Sequence, residues 1–179
     1  MISDNELAQQ ALSNGAAFEE LILRHRRQVY GTAYRMVQNH ETAEEIAQES
    51  FLRAFRSLHS FRRKAKFSTW LYRITMNLCI DHLNRNHSPL NVEELGDIAA
   101  DFHSPAEHLA HKERQQWLER EIQMLPPKQK SILVLRIFQE MPFKDIANVV
   151  GCSTNAAKVN YRHALVRLKE RFNNSREDL

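Results

Sequence analysis

The 179-residue chain has few of the residues that interrupt helices: only four glycines and five prolines. Ala, Leu, Glu, Gln, Arg and Lys dominate the long intervals between them, and these residues favour helix. This composition predicts an all-α protein. Because 42% of the residues are hydrophobic, the chain can build a packed core, which excludes disorder throughout.

Cysteines and long apolar runs are also scarce. Cys79 and Cys152 lie far apart and neither has a CxxC partner, which argues against a disulfide framework or a structural zinc site. We interpret both as small core or turn residues. No stretch approaches the ~20 apolar residues that span a bilayer, and "MISDNELAQQ" lacks the pattern of a secretory signal. We therefore expect a cytosolic protein.

The sequence contains no recognisable catalytic or metal-binding pattern. His108 and His111 share a predicted helix face, but no carboxylate completes a ligand set at the usual spacings. A Gly-rich phosphate loop, a nucleophile elbow and a supported acid pair are all missing. We therefore predict no metal, no cofactor and no enzymatic activity.

Basic residues are missing from one internal segment. Residues 86–111 contain no Lys or Arg but five acidic residues, whereas the whole chain has a net charge of +3. Pro89, Gly96 and Pro105 interrupt any period there. The pattern predicts two small helical domains, residues 1–86 and 112–179, joined by a flexible acidic linker at 87–111. The basic domains suit a polyanionic partner.

The N-terminal part shows helical spacing over residues 16–37 and 68–85, with a further helix between them. That helix opens near "NHETAEE", where Thr42 and Glu45 have the spacing of a capping box. Its predicted inward stripe is Ala43, Ile46, Ala47, Ser50, Phe51, Ala54 and Leu58. An outward strip suited to a partner helix consists of Glu45, Gln48, Glu49 and Leu52. A solvated charged face is the equally open alternative.

The segment "HSFRRKAKFSTWLYRITMN" combines cations with aromatic residues. Four basic residues lie between Phe61 and Phe67, namely Arg62, Arg63, Lys64 and Lys66. Aromatic rings stack on unpaired bases and cations hold the backbone, so this composition suits single-stranded nucleic acid. The alternative from periodicity alone is that these aromatic residues belong to the core.

The segment "PFKDIANVVGCSTNAAKVNYRHALVRLKERF" predicts a helix-turn-helix. A short helix with Ala147 on its inner face is followed by a turn at Gly151–Ser153 and a long helix. Asn155, Lys158 and Arg162 point outward together, as expected for contacts to bases and phosphates. A helical hairpin with a solvated polar face is the alternative.

Two longer stretches, which include these motifs, resemble one known family. The N-terminal stretch, with "AEEIAQESF" and "FSTWLYRITMN", is similar to region 2 of the extracytoplasmic function (ECF) sigma factors, group 4 of the sigma-70 family. "LPPKQKSILVLRIFQEMPFKDIANVVGCSTNAAKVNYRHALVRLKERF" is similar to region 4. The resemblance implies a non-catalytic subunit that binds the RNA polymerase core and directs it to promoters.

The resemblance also implies residue roles. In the family, the helix matching "AEEIAQESF" binds the clamp helices of the β′ subunit, which assigns Glu45, Gln48, Glu49 and Leu52 to core binding; Glu45 stands where Asp is usual. Phe61 and Asn77 match the pocket for a flipped base of the -10 element. Arg62, Arg63, Lys64 and Lys66 lie in the loop that melts this element.

Region 4 of the family reads the -35 element as duplex. The matching residues are Ser153, Thr154, Asn155, Lys158, Asn160 and Arg162. The recognition helix departs from the family's common "EGTVKSR" and reads "TNAAKVN", with Asn160 where Arg is usual. The resemblance therefore implies a change in the contacts to bases or phosphates at this position.

The resemblance implies partners as well. These are the β′ and β subunits of the core, promoter DNA, and an anti-sigma factor that is often membrane-bound and linked to a stress response. The linker would thread through the polymerase near its active-site and RNA-exit channels. A free-standing helix-turn-helix regulator is the alternative function.

Overall fold

The computed structural model describes residues 2–62, 65–85 and 116–177, the last three without their side chains. The first two ranges form the N-terminal block. Its helices are α1 (Asp4–Gln10), α2 (Gly15–Val37), α3 (His40–Arg56) and α4 (Phe67–Arg85), with a 3-10 turn at Leu58–Ser60. The predicted helices at 16–37 and 68–85 are thus confirmed.

The third range forms the C-terminal block. Its helices are α5, which is helical over 116–123, followed by α6 (Pro127–Phe138), α7 (Phe143–Val150) and α8 (Thr154–Glu177). Helix α6 begins at a proline, whose missing N–H costs nothing in a first turn. The regular elements of both blocks are helices, which confirms the predicted fold class. None of the described helices is long and apolar enough to cross a bilayer.

The predicted linker at 87–111, with His108 and His111, lies outside the described residues. The boundaries 1–86 and 112–179 therefore stay predictions.

Helix α3 begins earlier than the sequence pattern indicated. Its N-cap is Asn39, whose side-chain oxygen accepts a 2.8 Å hydrogen bond from the backbone N–H of Thr42. The predicted capping box of Thr42 and Glu45 is therefore wrong: Thr42 is the residue that is capped. The predicted inward stripe is confirmed, since all seven of its side chains are buried. This burial fixes which face of α3 points outward.

The core of the N-terminal block joins α1 to the three longer helices. Leu7 and Ala8 of α1 pack with Phe18 and Leu21 of α2 and with Phe67, which begins α4. Leu21 and Phe67 are 0% exposed. Each such apolar side chain contributes about 1.5–3 kcal/mol by leaving water.

A second core lies between the two blocks. Met36, Met76 and Cys79 of the N-terminal block belong to the same buried cluster as Ile132 and Ile146 of the C-terminal block. The C-terminal block has its own smaller cluster of Ile122, Leu125, Leu133, Ala164 and Leu168. The two blocks therefore pack directly against each other.

Polar groups cross this interface too. The ammonium group of Lys130 donates to Oε1 of Gln123 at 2.8 Å and lies 3.4 Å from the carbonyl of Met36. Burial lowers the pKa of Lys130 to about 8. Gln123 in turn donates a 2.9 Å hydrogen bond to the carbonyl of Arg35. Helix α2 therefore contributes backbone acceptors to the packing of the two blocks.

Candidate polymerase and promoter interfaces

The outer face of α3 carries a mixed acidic and apolar strip, which we name the α3 strip: Glu45, Gln48, Glu49 and Leu52. Their spacing of three and four residues puts them on one helix face. Glu45 and Gln48 are exposed, Glu49 is partly exposed, and half of Leu52 is accessible. An exposed leucine beside carboxylates is suited to contact with a partner.

One member of the α3 strip is held by its neighbour. The carboxylate of Glu49 accepts a 2.7 Å hydrogen bond from Nε of Arg53, one turn later in α3. This ion pair orients Glu49 on the surface. The strip also continues to Phe55, which is 53% exposed and packs its ring against Phe18 at 5.0 Å. Phe55 is not among the residues that the sequence predicts for this surface.

Three aromatic rings meet where the loop after the 3-10 turn enters α4. The ring of Phe61 lies edge-on to Phe67 at 5.7 Å and 5.3 Å from Trp70. Phe67 is 0% exposed, whereas Phe61 and Trp70 are partly exposed. Phe67 is therefore core, as one of the open alternatives held, and the other two rings form the surface above it.

The exposed side of α4 continues from this aromatic surface. Trp70, Arg73 and Asn77 follow one another at helical spacing, and we name them the α4 strip. Arg73 and Asn77 are exposed. Arg62 and Lys66 are exposed in the loop, whereas Arg63 and Lys64 lie outside the described residues. The face thus combines cations, aromatic rings and one amide.

Tyr72 belongs to the other side of α4. It is 5% exposed, and its hydroxyl donates a 2.6 Å hydrogen bond to Oε1 of Gln139 in the C-terminal block. Burial raises the pKa of Tyr72 to about 12. Tyr72 therefore contributes to packing and not to the surface that Trp70 and Asn77 share.

The helix-turn-helix of α7 and α8 is built from small residues and one left-handed glycine. Ala147 and Ala157 are buried where the two helices meet. Gly151 ends α7 at φ 66°, a conformation that side chains disfavour, and its N–H bonds the carbonyl of Ala147. Ser153 then caps α8, since its hydroxyl accepts a 3.1 Å bond from the N–H of Ala156.

The predicted -35 residues divide into two sets. Asn155, Lys158 and Arg162 are exposed at helical spacing on α8, and we name them the recognition strip; Thr154 is exposed beside them. Asn160 lies on another face, because five residues from Asn155 correspond to about 140° of rotation. Its side chain is partly buried and donates a 2.9 Å hydrogen bond to the carbonyl of Ala156. The hydroxyl of Ser153 is likewise engaged in its cap.

Metal chemistry finds no support in the part of the chain that the structure describes. Within residues 2–62, 65–85 and 116–177 there is no group of three or more His, Cys, Asp and Glu side chains that could hold an ion.

Comparison with known proteins matches both blocks of the chain to one family. A model of sigma-70 region 2 matches residues 21–88, and a model of sigma-70 region 4 matches residues 115–168. The RNA polymerase sigma-H factor of Pseudomonas aeruginosa is 33% identical over 152 residues, which cover 79% of each chain. The ECF RNA polymerase sigma factor SigW of Bacillus subtilis is 30% identical over 166 residues, covering 87% of this chain and 89% of that protein.

The chain belongs to the ECF sigma factors. This sigma factor thus directs RNA polymerase to promoters, and the alternative of a free-standing regulator is not favoured. Solved structures agree on the fold. A structure of CnrH in complex with the cytosolic domain of CnrY superposes with a TM-score of 0.73 at 22% identity, covering 95% of this chain and 97% of that chain.

In this sigma factor, region 2 contains the α3 and α4 strips and region 4 contains the recognition strip. Two exposed residues were not assigned from the sequence, Arg73 and Phe55. Both follow assigned residues at three or four positions along the same helix, a spacing that the sequence itself displays. That signal was available, whereas the engagement of Asn160 and Ser153 depends on local hydrogen bonds.

Proposed function

We propose that this sigma factor divides its task between its two blocks. The N-terminal block binds the polymerase core through the α3 strip and the -10 element through the α4 strip. The C-terminal block reads the -35 element through the recognition strip. The observation that carries this proposal is that α4 and α8 each expose a face of basic and amide side chains suited to nucleic acid, and that the two helices belong to separate blocks.

The chemistry of the α3 strip supports core binding. Its carboxylates offer charge complementarity to a basic partner, which speeds association and fixes register. Leu52 and the neighbouring Phe55 offer apolar area, since each is about half exposed. A partner helix that carries basic and apolar side chains would complement both features.

The α4 strip and the loop before it support promoter melting. Extruding a base costs a few kcal/mol, and stacking on an aromatic ring returns about 1–3 kcal/mol per base. Phe61 and Trp70 supply partly exposed rings, while Arg62 and Lys66 supply charges for the backbone. Asn77 adds an exposed amide that can bond a base edge. Arg63 and Lys64, which lie outside the described residues, stand between Arg62 and Lys66 in the sequence, and we assign them the same role.

The recognition strip supports duplex readout. An α-helix fits the major groove of DNA, where Asn and Arg bond base edges and Lys meets phosphates. Asn155, Lys158 and Arg162 present these groups from one face of α8. Thr154 and Ser153 lie at the start of the helix, where N–H groups favour a phosphate.

Promoter binding requires the two blocks to separate. Elements centred at -35 and -10 are about 25 base pairs apart, or about 85 Å at 3.4 Å per base pair. Blocks that share a buried core cannot span that distance. Residues 86–115, about 30 in number, reach at most about 100 Å when extended, which is enough. We therefore propose that core binding opens the packed arrangement, with the boundaries 1–86, 87–111 and 112–179 separating the moving parts.

We also propose that an anti-sigma factor controls this chain. The solved structures with the same fold include the sigma factor RpoE of Bartonella quintana with its anti-sigma factor NepR, at a TM-score of 0.69 and 19% identity. An anti-sigma factor at the membrane would couple a signal outside the cell to this protein. The chain itself would act in the cytoplasm, where the polymerase is, by binding and not by catalysis.

Run-off transcription tests the proposal. The purified chain is added to core polymerase with genomic fragments selected for binding to the mixture, and transcripts are measured with and without the chain. Promoter-dependent transcripts only in its presence would support the proposal. Duplex binding by the chain alone, with no transcription from the core, would overturn it in favour of a regulator.

A further inference from the structure

The first turn of α4 depends on a residue from outside that helix. Lys66 precedes Phe67, the first helical residue, and a lysine side chain has no acceptor for the unpaired N–H groups of a helix start. The side-chain oxygen of Asn5 accepts a 2.8 Å hydrogen bond from the N–H of Phe67. The cap of α4 therefore comes from α1, 62 residues earlier in the chain.

The same amide also contacts the loop. Nδ2 of Asn5 lies 3.5 Å from the carbonyl of Ala65, the second residue before α4. One side chain thus bonds an acceptor in the loop and a donor in the helix. Their junction is fixed relative to α1.

Helix α1 is itself anchored, although seven residues are too few for a stable isolated helix. The carboxylate of Asp4 accepts a 3.0 Å hydrogen bond from Arg24 and lies 2.9 Å from Nε2 of His25, both in α2. Leu7 and Ala8 are buried in the core of the N-terminal block. Asn5 is therefore presented from a fixed platform.

The junction that Asn5 caps determines where the aromatic surface lies. The ring of Phe67 touches His25 at 5.7 Å between centroids and supports Phe61 and Trp70, each also at 5.7 Å. A shift of the Phe67 backbone would displace both partly exposed rings. The contacts thus connect α1 to the face of α4 through the buried ring of Phe67.

We propose that α1 is a clasp that preorganises the promoter-melting surface, with Asn5 as its positioning residue. The clasp rests on the proposed role of Phe61 and the α4 strip in melting. Its effect belongs to promoter opening and not to core binding, because the α3 strip faces outward from a different helix.

Three variants test the clasp in the full chain. Asn5→Ala removes the acceptor, and Asn5→Asp keeps an oxygen for the N–H of Phe67. Gln9→Ala is the matched control, since Gln9 is exposed on the same helix. Each is assembled with core polymerase on a promoter selected by the wild-type holoenzyme. The measurements are core affinity, permanganate oxidation of unpaired thymines, and deuterium exchange at the amide of Phe67.

We expect Asn5→Ala to open the promoter roughly fivefold less at unchanged core affinity, in line with the loss of one helix cap. Amide exchange at Phe67 should accelerate, Asn5→Asp should restore opening, and Gln9→Ala should match wild type. If Asn5→Ala accelerates amide exchange at Phe67 but opens the promoter as well as wild type does, the clasp is overturned while the proposed function stands. An equal loss of core affinity would also overturn it. Failure of the wild-type chain to open any selected promoter would refute the proposed function, and the clasp with it.

Discussion

The hydroxyl of Tyr72 in α4 and the side chain of Gln139 at the end of α6 are joined by a 2.6 Å hydrogen bond across the two blocks. Gln139 uses its other end as well, since Nε2 donates a 2.9 Å bond to the hydroxyl of Thr32 in α2. Tyr72 and Thr32 are both buried. One glutamine thus satisfies two buried hydroxyls and specifies how the blocks pack.

Replacing this glutamine should loosen the packing. Gln139→Leu removes the partner of two buried hydroxyl groups, each costing about 1–3 kcal/mol if left unsatisfied. We expect the urea midpoint of the free chain to fall, and small-angle scattering to show a larger radius. Gln28→Leu, an exposed change on α2, is the control and should leave both unchanged. Equal midpoints for the two variants would show that the bridge does not stabilise the interface.

The buried Lys130 should make stability depend on pH. Its pKa falls from 10.5 in the unfolded chain to about 8 because burial disfavours the charged form. Between these values the unfolded chain binds more protons, so the contribution of Lys130 to the free energy of unfolding rises with pH. The cost of burying the charge, about 3 kcal/mol, applies in full below pH 8.

Lys130→Met isolates this effect. We expect the variant to gain most relative to wild type at pH 7 and to lose that gain toward pH 10. Burial also raises the pKa of Cys79 to about 12, so the contribution of Cys79 to the free energy of unfolding falls as the pH rises above 9. Wild type and variant are therefore compared at the same pH. Lys128→Met, exposed on the same helix, is the control. A difference between wild type and Lys130→Met that does not change with pH would contradict the buried charge.

The two cysteines should differ in reactivity. Cys79 is 0% exposed and its thiol stays protonated, whereas Cys152 is partly exposed in the turn of the helix-turn-helix. We expect a thiol reagent to modify Cys152 within the native chain and Cys79 only slowly. In Cys152→Ser, adding core polymerase should accelerate Cys79 modification, measured by mass spectrometry of its peptide. An unchanged rate would contradict the opening of the packed blocks.

The α3 strip gives a prediction about core affinity. Glu45→Arg reverses the charge of an exposed side chain, so we expect weaker competition for core polymerase with little change in thermal stability. Glu19→Arg makes the same charge change at an exposed position of α2 and serves as the control. If both variants compete equally well for core polymerase, Glu45 is not part of the binding surface.

Much of the fold could be predicted from periodicity. The inward stripe of α3 and the turn at Gly151 follow from spacing and backbone preference, which are local properties. Helix α1 was not predicted because its seven residues span less than two full turns and its stability depends on tertiary contacts. The start of α3 was misplaced because Asn39 and Thr42 are both suitable N-cap residues, and the sequence does not say which hydrogen bond forms.

In the candidate site, too, some features follow from local sequence spacing and others depend on tertiary contacts. The strips on α3 and α8 could be predicted from helical spacing, whereas the packing of Phe61 against Phe67 depends on residues that only the fold brings together. Asn160 was grouped with the -35 residues by resemblance. Its rotation away from Asn155 follows from 100° per residue, but its bond to Ala156 could not be predicted from spacing.

That difference within α8 gives a test with a control in the same helix. Arg162 is exposed in line with Asn155 and Lys158, whereas Asn160 is partly buried and bonded to its own helix. If Arg162 bonds a base, Arg162→Ala should weaken holoenzyme binding to a selected -35 duplex by about 1–3 kcal/mol. If Arg162 instead contacts phosphate, the variant should weaken binding to all duplex sequences by a similar amount and reduce the salt dependence of binding. Asn160→Ala should change affinity by less than either, because alanine favours helix and the lost bond is internal. Competition binding at two salt concentrations separates these outcomes. A larger loss from Asn160→Ala than from Arg162→Ala would mean that the other face of α8 enters the groove.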